Sequence, residues 1–199
     1  MSPSPVDIAC VWRESPEYSI EYVEKLERAV ARHFTKPYRF HVISDDTGPG
    51  WWSKLALFMP GRFTGHTIYL DLDTVIAGNI DWLADSPHGF TMLEEQPGAV
   101  PNSSLMAWRG DYSKLWDTYE ADRDGVQRRY STLPNLGDQA FIADQLGDAV
   151  GFWPADKVIH FRKEILGGSR PYADEPLIYW TWRPKPREAK HPLVKANWI

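Results

Sequence analysis

Apolar and polar positions follow two rhythms along this chain. Residues 6–12 (VDIACVW) form a short, mostly apolar run and predict a buried first strand. Ser15 and Pro16 then offer an N-cap and a first helical turn. In the helix that follows, Ile20, Val23, Leu26, Val30 and Phe34 recur every three or four positions with Glu and Lys between them, so one stripe faces a core. Pro37 stands just beyond its end. Residues 39–44 predict a second strand, and Asp45, Asp46, Thr47, Gly48, Pro49 and Gly50 a loop. A second helix over 52–59 runs until Pro60 and Gly61 break it. Residues 67–73, β-branched and apolar on both faces, predict a central strand that leads into a turn at Gly78 and Asn79. Further strands are expected over 89–93, 103–108, 158–161 and 177–182, with a polar helix over 111–130 and a shorter one over 138–146. Strands alternating with helices predict an α/β/α sandwich with a mostly parallel, Rossmann-like central sheet.

The bulk properties narrow this picture. At 199 residues, with 43% hydrophobic and 25% charged positions, the chain is expected to be one ordinary domain. Its end, residues 183–199, holds basic residues and prolines and predicts a tail wrapped on the surface without regular structure. A net charge of −5 argues against coating of nucleic acid, which needs a clustered positive field. The single cysteine, Cys10, lies in an apolar segment and cannot pair internally, which fits a reducing compartment. No run of about 18 apolar residues occurs, so the expectation is a cytoplasmic protein without a membrane span. Ten tryptophans are many for this length, and such rings serve both packing and the stacking of ring-shaped ligands.

The candidate chemistry centres on YLDLDTV. On a strand, residues i and i+2 share a side, so Asp71 and Asp73 can present two carboxylates together. Magnesium and manganese prefer such oxygen ligands and commonly bridge carboxylates to substrate phosphates. Ligands of α/β sheets bind beyond the carboxyl ends of the strands, where this pair falls. Two aspartates merely ending a strand is the plainer alternative.

A longer pattern adds to that reading. IYLDLDTVIAGNID at 68–81 is joined in order by WWSKLALF at 51–58, NSSLMAW at 102–108, GDQAFI at 137–142 and RPKP at 183–186. Together they resemble the glycogenin-like family 8 glycosyltransferases and related small bacterial and phage glycosyltransferases of the GT-A fold. The resemblance implies a single GT-A-like domain that moves a sugar from a nucleotide-sugar donor, mostly a UDP-sugar, to a hydroxyl acceptor with retention, using Mn2+ or Mg2+. It implies that Asp71 and Asp73 hold the ion against the donor diphosphate, Asp73 more directly and Asp71 also near the ribose. Lys54 would contact the donor, and Lys185 would close over the diphosphate. Asn102, Ser103 and Ser104 would line the donor sugar, and Trp12 would sit where the base is received. Asp138 would hold a sugar hydroxyl, and Gln139 would stabilise charge developing at the anomeric carbon.

Read alone, these residues have plainer roles: a lysine stem lying along a helix start, a strand start, an aspartate favouring a helix dipole, a core tryptophan. The chain also departs from the family pattern. A histidine, the third metal ligand, is expected a few residues before Lys185, yet the segment reads IYWTWRPKP; His160 and His191 match no such position, and Trp182 replaces a glycine. Two other readings stay open. One is a phosphohydrolase of the haloacid dehalogenase type, whose DxDx(T/V) pattern 71–75 also matches, although about 70 residues precede it. The other is a noncatalytic sugar or nucleotide binder. Neither the acceptor nor the oligomeric state is legible in the sequence.

Overall fold

The computed structural model describes residues 4–45, 47–94, 96–132, 137–169 and 176–199; Asp46 of the expected loop lies outside them. In chain order the elements are β1 (Val6–Val11), α1 (Ile20–His33), β2 (Tyr38–Ile43), a 3₁₀ helix (Gly50–Phe58), β3 (His66–Leu70), β4 (Val75–Ile76), β5 (Phe90–Leu93) and β6 (Asn102–Arg109). There follow α2 (Ser113–Ala121), α3 (Arg123–Tyr130), α4 (Asp138–Leu146), β7 (Val150–Phe152), β8 (Val158–His160), a π-helical turn (Phe161–Leu166), β9 (Leu177–Tyr179) and α5 (Pro192–Asn197).

Six strands form the main sheet in the order β2-β1-β3-β6-β5-β7. Only β6 runs against its neighbours, pairing antiparallel with both β3 and β5, so the sheet is mostly parallel as the alternation of elements predicts. β3 is central, and Thr67, Ile68, Tyr69 and Leu70 are all buried, the signature of a strand covered on both faces. One face packs on α1 through Tyr22, Val23, Leu26, Ala29 and Val30. The other packs on the 3₁₀ helix and α2 to α4, where Trp52 stacks on Tyr119 at 5.5 Å between ring centres.

The departures from expectation have local causes. α1 starts at Ile20 after Ser19, four residues later than predicted, because Ser15 instead accepts the Tyr18 amide with its side chain (3.0 Å) and holds a turn. Ile20, expected inside, is therefore exposed at the helix start. The predicted helix 111–130 is two helices. At Asp122 the backbone leaves helical values (φ −154°, ψ 64°) and the carboxylate accepts the Gly125 amide at 2.9 Å, capping α3. A side chain at Gly125 would collide with that carboxylate, so the glycine admits the cap. The strands expected at 158–161 and 177–182 are shorter and belong to a second sheet of order β4-β9-β8.

The tail departs from the expectation that it lacks regular structure. It forms α5, and Lys185, Ala189, Val194 and Trp198 are buried. Trp198 packs edge-on against Tyr22 of α1 at 5.0 Å. Sparse apolar residues in a basic, proline-rich stretch hide this docking, because the partner surface is assembled from distant segments. Among the described residues no helix is long and apolar enough to cross a membrane.

Candidate active site

The sheet delivers a charged cluster to its C-terminal edge. β3 ends at Leu70, so Asp71 and Asp73 do not share a strand face. They sit in a turn closed by the Thr74 amide on the Asp71 carbonyl (3.0 Å), and the Asp71 amide donates to the Ser104 carbonyl at the start of β6 (2.9 Å). Leu72, between them, is buried in the core and anchors the turn. The two carboxylates thus come to the sheet edge by a turn, where alternation along a strand had been expected.

Each carboxylate has its own lysine. Lys54 Nζ lies 3.0 Å from Asp71 Oδ1 and 3.7 Å from Asp138 Oδ2, and it donates to Ser103 Oγ at 3.0 Å. Ser103 in turn donates to Asp138 Oδ2 at 2.7 Å. On the other side, Lys185 Nζ donates to Asp73 Oδ2 at 2.7 Å although the two residues are 112 apart in sequence. The small sheet brings them together: β4 follows the aspartate turn and pairs with β9, which leads into the Lys185 loop. Asn102 and Ser104 are buried beside this cluster, Asn102 Oδ1 accepting the Ser104 amide at 2.7 Å. Gln139 is half-buried next to Asp138 on α4. Trp12, also half-buried, packs against the core, and its indole donates to the Tyr18 carbonyl at 3.3 Å.

Two contacts escape sequence reasoning. The Tyr69 hydroxyl donates to Asp71 Oδ1, and the Tyr18 hydroxyl donates to Asp73 Oδ2 at 3.0 Å. Tyr69 stands two residues before Asp71, a spacing that could have flagged it. Tyr18 is 55 residues from its partner and carries no such signal.

The cluster is electrically unbalanced. Three carboxylates (Asp71, Asp73, Asp138) face two ammonium groups (Lys54, Lys185), leaving one negative charge in excess. Burial pushes Asp138 up, against the pull of Lys54 and Ser103. Burial likewise raises Asp73, Lys185 opposing and the neighbouring Asp71 charge adding to the shift. Asp71 is lowered: burial works against its charge, but Lys54 and the hydroxyls of Tyr69 and Ser104 outweigh it. Lys54 is raised, because Asp138 and Asp71 overcome the burial that disfavours its charge.

This donor set fits a hard cation that brings part of its own shell. Carboxylate oxygens suit Mg2+ or Mn2+, and a divalent ion held by Asp71 and Asp73 would offset the excess negative charge. Among the described residues no group of three or more His, Cys, Asp or Glu is arranged to hold a metal ion. In the segment 179–182, where the resemblance places a histidine, Tyr179 is buried and paired in register with His160 on β8. His160 is itself committed, one ring nitrogen contacting Thr181 Oγ1 and the other accepting the Arg162 and Lys163 amides at 3.1 Å.

Trp182, in the glycine position, has φ +66° and is 79% exposed. A bulky residue in the left-handed region carries strain of roughly 1–3 kcal/mol, which persists only where the surroundings impose it. Its neighbours do so. Thr181 is held by His160, and Arg183 pairs with Glu17 and Glu188.

This architecture, with the cluster at the carboxyl edge of β3, is the fold of the GT-A glycosyltransferases. The apo form of the glycosyltransferase GlyE of Streptococcus pneumoniae TIGR4 matches with a TM-score of 0.69 and 13% identity over 98% of this chain and 59% of that one. An active-site mutant of LgtC matches with a TM-score of 0.63 and 12% identity, over 96% of this chain and 93% of that one. A glycosyltransferase involved in glycosylation of the major capsid of PBCV-1 gives 0.59 and 11%, over 88% and 92%. The chain therefore spans about 59% of the length of GlyE and nearly all of the other two. No protein-family model and no curated protein matches the sequence.

Proposed function

We propose that the protein is a metal-assisted glycosyltransferase that takes a sugar from a nucleotide-sugar donor, a UDP-sugar, and places it on a hydroxyl acceptor with retention. The observation that carries this reading is the pairing of Asp73 with Lys185 and of Asp71 with Lys54 and Asp138 at the carboxyl edge of the central strand. An acidic pair alone would repel a diphosphate. Two buried ammonium groups interleaved with it give phosphate oxygens fixed cationic partners.

Asp71 and Asp73 would hold Mn2+ or Mg2+, which when bound offsets charge on the diphosphate as it departs. Lys54 and Lys185 act on the same charge, already oriented by their carboxylate partners. Asp138, fixed by Ser103, accepts a hydroxyl of the donor sugar, and Gln139 beside it presents its amide to the anomeric carbon. Asn102, Ser103 and Ser104 line the sugar, and Trp12 flanks the base. In the transfer itself, the bond from the anomeric carbon to the diphosphate oxygen breaks and a bond to the acceptor oxygen forms. The acceptor proton leaves with the nucleoside diphosphate, the base nearest to an acceptor that attacks from the same face.

A thermal-shift panel of nucleotide sugars with manganese tests the donor class, since a ligand that binds the native state raises its melting temperature. Stabilisation by UDP-sugars above GDP-, CMP- and dTDP-sugars is expected. No response to any UDP compound would end this reading. Release of phosphate from simple phosphomonoesters would instead support the haloacid dehalogenase-type alternative.

A further inference from the structure

Of the ten tryptophans, two are largely exposed, Trp51 at 53% and Trp182 at 79%. Each lies three residues before one of the two lysines of the active-site cluster, Lys54 and Lys185. The coincidence is structural as well as sequential. Trp51 and Lys54 are on the 3₁₀ helix Gly50–Phe58, where side chains at i and i+3 eclipse, so the indole stands one turn from the ammonium that touches Asp71 and Asp138. Trp182 stands on the loop that returns Lys185 to Asp73.

The Trp51 indole is packed in place, and the backbone that carries Trp182 is fixed. Trp51 lies so tightly on Gly137 that a side chain there would come within 2.0 Å of its Nε1, and Gly137 (φ +66°) immediately precedes Asp138. One side of that ring is thus packed on the start of α4 while about half of its surface meets solvent. Trp182 is held in a left-handed conformation between two anchored neighbours. A solvent-facing indole is unfavourable for solubility, and a strained one is more so, yet both occur at the rim of one polar site. Indoles with an open face beside hydroxyl-binding groups are what the apolar face of a sugar ring requires: the ring stacks while its hydroxyls reach polar partners.

We propose that Trp51 and Trp182 form the acceptor subsite, and that the acceptor is a saccharide whose rings stack on these two indoles. The proposal rests on the glycosyl-transfer reading and names the acceptor class for that site. It places the acceptor against the side of the cluster marked by Asp138 and against the Lys185 loop, so that saccharide binding depends on residues outside the carboxylate and lysine cluster.

The test uses the full chain in the presence of manganese and UDP. An oligosaccharide array is probed first, and the retained glycans are then titrated by calorimetry against the parent protein, Trp51→Ala, Trp51→Phe, Trp182→Ala and Trp182→Gly. UDP is titrated in parallel. The parent is expected to retain glycans, and each alanine variant to weaken them at least about tenfold, with Trp51→Phe recovering part of the loss. UDP affinity should stay within about twofold in all variants. Trp182→Gly should melt at a higher temperature than the parent while binding glycan more weakly, which separates lost stacking from lost folding. UDP binding by the parent with no glycan retained, or glycan binding unchanged in the alanine variants, overturns the acceptor proposal and leaves the donor reading standing. Absence of UDP binding by the parent removes both.

Discussion

The two ends of the central sheet are both charged, and they handle charge in opposite ways. At the amino ends of the strands Asp7 is saturated: Arg39 donates to both of its oxygens (2.8 and 3.1 Å) and His41 contacts one of them at 2.8 Å. Lys36 pairs with Asp85 nearby, and Arg109 caps the Ala84 carbonyl. These groups line an open cleft of about 900 Å³, and their cations answer the local carboxylates with charge to spare. At the carboxyl ends, three buried carboxylates share two lysines. The first end gives its buried carboxylate, Asp7, direct partners in Arg39 and His41, while the Lys36–Asp85 pair stands in solvent and contributes little. The second carries one negative charge more than its lysines balance, which a cationic ligand would offset. Charge alone does not mark a site; a buried cluster whose charges do not cancel does.

The sharpest way to break this comparison is to neutralise one carboxylate at each end. Asp73→Asn should lower sugar transfer by about 10²–10³-fold, as expected for loss of a group that acts on developing charge, while Asp7→Asn should leave turnover within about twofold. Steady-state kinetics on the best UDP-sugar from the panel decide this, and equal effects at both ends would erase the distinction.

A second substitution tests whether the carboxyl-end cluster is internally frustrated. Lys54→Ala leaves Asp71 and Asp138 buried without their ammonium and should destabilise the fold by about 3 kcal/mol. Adding Asp138→Asn should recover part of that loss, because it removes the uncompensated charge. Urea unfolding of the single and double variants reads the coupling, and strict additivity would contradict it.

The amino end carries a histidine that is sensitive to mild acid. Burial, aided by the Arg109 charge, lowers His66 to about 4, and its Nε2 is buried without a hydrogen-bond partner among the described residues. The unfolded chain takes up this proton near pH 6.5 while the native protein resists until about pH 4, so stability is intact above the first value and falls as pH drops toward the second. A loss of roughly 2 kcal/mol across that window is expected once partial exposure is discounted. In His66→Gln the decline between pH 7 and pH 4.5 should be shallower; an unchanged profile would assign acid sensitivity elsewhere.

Metal affinity sharpens the contrast from the other side. Two aspartates fill only part of an octahedral shell, so manganese should bind the free protein weakly and about 10–100-fold more tightly with UDP present, and UDP should gain by the same factor. Calorimetric titration of manganese with and without UDP checks this, and Asp73→Asn should abolish the coupling. The smallest effect belongs to the amino end. Lys36, paired with Asp85 whose side chain is 71% exposed, should change stability by no more than about 1 kcal/mol when replaced by alanine.

Much of this was legible in the chain. The apolar run of β1, the stripe of α1 and the doubly buried β3 follow from short-range periodicity, because strand and helix faces repeat every two and 3.6 residues. So does the helix that opens at Asp138. The order of motifs from WWSK to RPKP named the GT-A fold and the residues that gather at the sheet edge. Where periodicity was faint the reading slipped: the polar stretch 111–130 hid a break at Asp122, and the tail hid a helix whose burial depends on α1 and β4. The aspartate pair was located from sequence but given the wrong geometry, since nothing local says that β3 stops at Leu70.

What only the tertiary structure decided is how charges and rings meet across long separations. Residue type and spacing placed Asp71 and Asp73 at the carboxyl edge of the central strand and made Lys54 and Lys185 candidates to join them. They did not determine that Lys185 lies on Asp73, that Tyr18 shares the same oxygen, or that the His160 ring is spent on Thr181 and two backbone amides. Nor could they show that two of ten tryptophans stay in solvent, one pressed on Gly137 and one in a left-handed turn. The physical reason is that backbone pattern is a local property of the chain, whereas side-chain pairing and exposure depend on which distant surfaces the fold brings together.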